Sequence, residues 1–411
     1  MARIRESGQA ARQSSSTRVP AAAMFSVLLL SYVINAMDRQ LFPLLAADVR
    51  REYGFSLPRI GLLSTIFTLG MALAGLPTGY LLARFSRKTV LQMGIAIFSA
   101  GTVLTVASRG FLDMLSYRAA TGIGEAMELT ALLAIAANHF TRRRAVAVGA
   151  VNFCFAMGAI IGPILGGVVL SAYQSWRLPM IFFGLLGALA MVLIALIVKP
   201  FFTETFSEAQ DDPHEPTSGS GAPTLLNRNT VLLTTMSLIG GLVIYGYLGM
   251  YPTFLREGLH YTPTAAGAVV GAFGLGALGS LGGGWLGDRF SARHVLGAAF
   301  LCAAALGYLI FHASAFAVQL ALSFAWGLIV SGTIYVNLAG YHVKAVRNNL
   351  ANRASGIFVS SLYGSAAVGG YLMGWIAGHG GWVLAGEIQL TVLSLVGAGL
   401  SLALRSSRMS L

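Results

Sequence analysis

Gly79-Tyr-Leu-Leu-Ala-Arg-Phe-Ser-Arg-Lys-Thr-Val-Leu91 returns 205 residues later as Gly284-Trp-Leu-Gly-Asp-Arg-Phe-Ser-Ala-Arg-His-Val-Leu296, with eight of thirteen positions identical or exchanged between Lys and Arg. The offset is about half of the 411-residue chain, and apolar stretches flank both copies. A basic loop duplicated at the same place in each half implies one helical bundle built twice, about an axis along a membrane normal.

The surroundings of the two copies give the solvent. Hydrophobic residues make up 56% of the chain and charged residues 10%, against roughly 25% charged in a soluble domain. Runs such as 24–36, 89–107, 178–198 and 383–404 approach or exceed the ~20 residues that cross a ~30 Å hydrocarbon core. Apolar spans are read near 22–46, 57–82, 89–108, 111–138, 146–172, 178–198, 230–254, 264–287, 295–312, 315–342, 355–377 and 382–404. The expected fold is all-α: twelve transmembrane helices in two six-helix pseudo-symmetric bundles. Each copy of the repeat then falls between the second and third span of its half. The first apolar run is too long for the core of a cleavable signal peptide, so it is expected to be a span.

Charge sets the orientation. With both termini inside, inner segments carry 19 Lys and Arg and outer loops carry six. That bias predicts cytoplasmic termini, and so an integral protein of a bacterial-type inner (plasma) membrane. The net charge of +12 is thereby a topology signal, and no nucleic-acid partner is expected. Residues 199–228 break the apolar pattern with Glu204, Glu208, Asp211, Asp212 and Glu215, followed by Pro, Ser and Gly. They read as a cytoplasmic linker between an N-terminal bundle (22–198) and a C-terminal bundle (229–404), with tails at 1–21 and 405–411. Cys154 and Cys302 lie in apolar stretches and the seven histidines show no ligand spacing, so no disulfide, metal or cofactor is expected. Gly274-x-Gly276-x-x-Gly279 lies inside a span, where it serves helix packing rather than a dinucleotide. No nucleophile elbow or phosphate loop occurs, so the chain reads as no enzyme.

Ionisable groups at membrane depth cost roughly 2.5–3.5 kcal/mol on insertion scales and mark function. Here they are Asp38 and Arg39 in span one and Arg118, Glu125 and Glu128 in span four, with Glu387 near the outer end of span twelve. At 1.5 Å per residue, Asp38 lies ~12 Å, Arg118 ~10 Å and Glu125 ~20 Å below the outer face. Arg118 and Glu125 share a helix face, with Glu128 close to it. If spans one and four face each other, an acid–base–acid cluster results. Low dielectric disfavours an ionised carboxylate and a guanidinium favours it, so an anion competing for Arg118 would link its binding to protonation of Asp38 or Glu125. Arg39 either lines a cavity or pairs with Glu128. The C-terminal half offers only neutral candidates for solute contact, Tyr251, Asn337 and Tyr363 among them, and Asn152 in span five is similar. The alternative throughout is a buried salt bridge and interhelical hydrogen bonds that serve packing alone.

These residues carry a resemblance to the major facilitator superfamily over essentially the whole chain. Its cytoplasmic latch G-x-L-x-D-R-x-x-R-R is similar to Gly284, Leu286, Asp288, Arg289 and Arg293. In the first copy Gly79, Leu81, Arg84, Arg87 and Lys88 remain, but Ala83 replaces the acid. The resemblance implies that the Asp pairs with a neighbouring helix end and the basic residues hold the inner gate. Gly149, Gly158, Gly162-Pro163 and Gly166-Gly167 resemble a span-five pattern of the same superfamily, commonest in exporters. Asn35-Ala-Met-Asp-Arg39 is similar to the N-Y-x-D-R, and Arg118 to Ala126 to the R-x-x-x-G-x-G-E-A, of spinster-type transporters and organic anion symporters. Ala36 and Glu128 depart from those patterns. The resemblance implies proton coupling through Asp38 and Glu125, with Arg118 in coupling or anion binding; Glu128 and Arg39 are added by their place at membrane depth, Glu128 for proton coupling and Arg39 for solute contact. The expected activity is proton-coupled symport of a small organic anion by a monomer among membrane lipids. The alternative is proton-driven export of amphipathic compounds such as lysophospholipids or drugs.

Overall fold

The computed structural model describes residues 20–140, 144–204, 221–405 and 409. The N-terminal tail before residue 20, the acidic stretch 205–220, Arg142, Arg143 and Arg408 lie outside the described residues. Eleven described segments are long and apolar enough to cross a bilayer. They begin with α1 (Ala21–Tyr53), α2 (57–84, broken at Ile66), α3 (Arg87–Val106), α4 (Phe111–His139), α5 (Arg144–Tyr173) and α6 (Arg177–Ile197). After the short turn Pro200–Thr203 come α7 (Arg228–Gly258), α8 (Pro263–Arg289), α9 (Ala292–His312) and α10 (Phe316–Lys344).

The eleventh segment, Asn348–Ser401, is 54 residues long, or ~81 Å if straight at 1.5 Å per residue. No single crossing needs that length. Gly381 breaks it at φ 84°, ψ 171°, a region essentially reserved for glycine. The chain folds back there: Gln389 Nε2 donates to Gly369 O, twelve residues before the break, at 2.8 Å. The segment is therefore two crossings, α11 (351–380) and α12 (382–401), and the described residues hold twelve spans.

The quoted repeat is also a repeat of backbone. α2 ends through Phe85 (φ −116°, ψ 159°) into Ser86 (−61°, 144°), which caps α3 by accepting from Thr89 N. α8 ends through Phe290 (−118°, 158°) into Ser291 (−66°, 144°), which opens α9. The helix before each turn is broken, α2 at Ile66 and α8 between Ala277 and Ser280.

Helices in lipid associate through close packing and interhelical hydrogen bonds rather than hydrophobicity. The seam between α1–α6 and α7–α12 follows that rule, and only at the end away from the described termini. A Cβ on Gly61 of α2 would lie 2.0 Å from Gly370 O of α11, and one on Gly370 would lie 2.2 Å from Gly61 O. Thr65 Oγ1 donates to Ala367 O at 2.8 Å. The Ser171 and Thr264 hydroxyls tie α5 to α8 at 2.8 Å. Nearer the described termini the same four helices diverge: Gly75, Gly79, Gly149, Gly282 and Gly356 have no neighbour within 4 Å of an added Cβ. The molecule is open at the terminus-bearing end and closed at the far end.

Candidate functional site

The buried charges sit in the N-terminal half, where Asp38, Arg39, Arg118, Glu125 and Glu128 are each 5% exposed or less. Their spacing explains why they meet. Ser31, Asn35 and Asp38 are four and three residues apart on α1, and Arg118, Thr121, Glu125 and Glu128 repeat that spacing on α4, so each set forms one stripe. The stripes face each other. Arg118 Nη1 lies 3.9 Å from Asp38 Oδ2, and Arg39 Nε lies 3.2 Å from Glu125 Oε2. Thr102 of α3 donates to Asp38 Oδ2 at 2.8 Å. Of the two arrangements open for Arg39, the structure has it pair with Glu125 rather than Glu128, and it lines a cavity as well.

Two further features bear on protons and anions. The Arg118 guanidinium has no hydrogen-bond partner among the described residues; it lies against the rings of Phe42 (4.8 Å) and Phe67 (5.7 Å). Asn35 Nδ2 donates to Glu128 Oε2 at 2.8 Å. The Ser31 hydroxyl is 2.9 Å from Leu28 O and 2.7 Å from Glu128 Oε1. One hydroxyl proton cannot fill both Ser31 contacts. A proton on Glu128 fills the second.

A cavity of ≈190 Å³ lies between the halves. Tyr32, Arg39, Asn152 and Phe155 line it from the N-terminal half, and Tyr245, Phe273, Ser331, Tyr335 and Tyr363 from the C-terminal half. Of the residues singled out for solute contact, Arg39, Asn152 and Tyr363 face this space. Arg118 is one layer behind it, with Asp38. Tyr251 and Asn337 do not line this space; the structure sets both into C-half packing. Tyr251 is fully buried, stacks on Tyr247 at 4.4 Å and donates to Gln319 Oε1 at 2.6 Å. Asn337 Nδ2 donates to Gly283 O (2.8 Å) and Thr333 O (2.9 Å), joining α10 to α8. Sequence reasoning missed Tyr32, Phe155, Ser331 and Tyr335. Tyr32 had a signal: it is seven residues before Arg39, on the same face of α1.

Among the described residues, the two repeat loops make contacts inside their own halves. In the first copy, where Ala83 replaces the acid, Glu204 supplies one from beyond α6: its carboxylate accepts from Arg87 N (3.2 Å) and Lys88 N (3.3 Å) at the start of α3, where a helix favours negative charge. In the second copy Asp288 Oδ1 pairs with Lys344 Nζ at the end of α10, 2.7 Å away. Arg84 lies over Tyr80 and Arg289 over Trp285; a Cβ added at Gly79 would meet nothing within 4 Å and one at Gly284 would lie 3.7 Å from Val336, and Arg293 is exposed. At the closed end, two ion pairs cross between the halves. Arg50 of α1 meets Glu257 of α7 at 2.8 Å, and Arg256 of α7 meets Asp48 of α1 at 3.1 Å.

The sequence model of the Major Facilitator Superfamily matches residues 28–370. "Protein spinster" of Drosophila melanogaster is 27% identical over 243 residues, covering 58% of this chain and 40% of that protein. The chain thus spans less than half the length of that relative. The "Gallate transporter" of Pseudomonas putida is 25% identical, covering 93% of this chain and 88% of that one. A solved structure of a bacterial homolog to the human lysosomal transporter spinster, inward-facing and occupied, superimposes with a TM-score of 0.76 at 17% identity, over 95% of this chain and 98% of its own. At that identity the likeness is one of fold.

Proposed function

Because the chain belongs to the major facilitator superfamily, we propose that it is a secondary transporter that couples proton movement to symport of a small organic anion by alternating access. The observation that carries this reading is the double duty of Arg39, whose Nε holds Glu125 at 3.2 Å while its guanidinium forms part of the cavity wall. An anion entering the cavity meets that guanidinium and competes for it. Glu125, losing its counter-charge in a low-dielectric interior, is stabilised by taking a proton. Binding of solute and of proton therefore favour each other. Asp38 and Arg118 form a second pair of the same kind one layer deeper, and Glu128, held by Ser31 and Asn35, is a further proton carrier. Once charges are neutralised, the bundles 22–198 and 229–404 rock about the seam, joined by the linker 199–228. The excess of Lys and Arg supports cytoplasmic termini in a bacterial-type inner membrane, with the open end facing the cytoplasm. A relative named as a gallate transporter supports an organic anion.

The test is uptake of labelled carboxylates into proteoliposomes. For one proton per solute, an inside-alkaline gradient of one pH unit sustains about tenfold accumulation. Asp38→Asn is expected to keep solute exchange and lose gradient-driven accumulation. Normal accumulation by Asp38→Asn refutes the coupling role.

The gap between α5 and α8 favours a second reading. It measures ≈730 Å³, is lined by Val146, Phe153, Leu281 and Trp285, and shares Asn152 with the central cavity. A sideways entrance of that kind suits proton-driven export of amphipathic compounds such as lysophospholipids or drugs. Raised drug tolerance on expression, without carboxylate uptake, decides for it.

A further inference from the structure

We propose that the solute is a single-ring aromatic monocarboxylate, seated with its carboxylate on Arg39 and its ring against the C-half aromatic wall; this rests on the organic-anion reading above. Size is the first constraint. At ≈190 Å³ the cavity is slightly larger than the ~150 Å³ apolar cavity that takes up benzene in an engineered protein. One ring with a small polar substituent fits a space of that size.

Charge is the second. Among the thirteen residues that line the cavity, Arg39 is the one with a charged side chain. Its Nε lies 3.2 Å from Glu125 Oε2 while the residue also lines the cavity, so the guanidinium can receive one carboxylate and no cation is present for a second. The rings of Tyr32 and Phe155 lie 5.9 and 5.8 Å from the Arg39 guanidinium carbon and fix its plane from the N-half side.

The third constraint is the remaining wall. Six of the thirteen lining residues are aromatic and four are Leu or Ile. Tyr245 and Tyr363 meet edge to face with centroids 5.9 Å apart, an arrangement that a third ring extends favourably. A sugar acid carries a hydroxyl on nearly every carbon, and each must be satisfied when buried. Here only Asn152, Ser331 and tyrosine hydroxyls could serve, and those of Tyr335 and Tyr363 already face each other at 3.2 Å. The wall selects a flat, apolar body with one anionic end.

The experiment uses the purified full chain in nanodiscs, titrated calorimetrically with benzoate, cyclohexanecarboxylate, glucuronate, benzyl alcohol and lysophosphatidylcholine. Benzoate is expected to bind about tenfold more tightly than cyclohexanecarboxylate, which has the same charge and nearly the same size without a π face, and benzyl alcohol not to bind. Tyr245→Leu and, separately, Tyr363→Leu are expected to lower the benzoate-to-cyclohexanecarboxylate affinity ratio about fivefold, within the range measured for aromatic pairs. Two variants keep the comparison available if one fails to fold. Equal or tighter binding of cyclohexanecarboxylate or glucuronate overturns this inference and leaves the organic-anion reading standing. Binding of lysophosphatidylcholine with no carboxylate bound overturns both.

Discussion

The two ion pairs at the closed end set how often that end opens, and removing them shifts the resting conformation. α1 supplies Asp48 and Arg50, and α7 supplies Arg256 and Glu257, so the pairs cross the seam with opposite polarity. The side chains are 10–34% exposed, which places each pair near the surface range of ~0.5–1 kcal/mol. Combining Asp48→Asn with Glu257→Gln breaks both pairs and leaves Arg50 and Arg256 unneutralised on facing helices. The expected loss is ~1–2 kcal/mol of closed-state preference, or about 5–30-fold at 1.4 kcal/mol per tenfold. A far-end-open population of ~1% would rise to roughly 5–25%. Spin labels at Tyr173 of α5 and His379 of α11, both exposed and clear of the latch, report the seam distance once Cys154 and Cys302 are replaced. A long-distance component should grow in the double variant, and high salt should produce part of the same shift in the parent by screening. An unchanged distance distribution in the double variant refutes the latch.

Three further outcomes follow from the packing. Gly381→Ala forces a side chain into φ 84°, ψ 171° and should cost ~1–3 kcal/mol, read as a lower melting temperature of the purified protein. Gly122→Val places atoms where even a Cβ would lie 1.7 Å from Phe67 O; α4 and α2 must part, and loss of ~1–3 kcal/mol or more is expected in the same melt. Glu128→Gln can fill the Ser31 and Asn35 contacts with one amide, so its melting temperature should match the parent, whereas Glu128→Ala loses both contacts, leaving Ser31 with Leu28 O and Asn35 with a 3.3 Å bond to Glu125 O, and should lower it by the equivalent of ~1–3 kcal/mol for two hydrogen bonds. Equal melts for Gln and Ala at 128 would show that the Ser31 and Asn35 contacts carry no stability.

Much of the fold was legible because lipid writes itself into composition. A span must be apolar for its whole length, and the structured ends fall within a few residues of most of the expected ones. The α11–α12 turn was legible as a drop in hydropathy near 378–381, although the helix runs almost unbroken through it. The basic loops declared the duplication because their backbone turn recurs with nearly the same dihedral angles at Phe85–Ser86 and Phe290–Ser291. The far-end latch was not legible. Arg50 and Arg256 were countable as loop charges, but Arg50 and Glu257 are 207 residues apart, and nothing local says that two such ends meet.

The cluster was easier to find than the cavity, for a physical reason. A charge in lipid has few ways to be satisfied, so Asp38, Arg118 and Glu125 predicted one another. A tyrosine or asparagine is satisfied by any carbonyl within reach. On α7, polar and apolar residues occur all round the helix, so no amphipathic face tells which side meets the cavity. Tyr245 faces the cavity, whereas Tyr247 and Tyr251, four apart, stack inside the C-terminal half. Asp38 and Arg39 resolve the relation between the two layers. Neighbours on a helix point about 100° apart. One of them can therefore face Thr102 and Arg118 in the interior while the other reaches Glu125 and the cavity. Two adjacent residues thus connect the groups that can hold protons to the space that can hold a solute, and a one-residue shift of either would separate them.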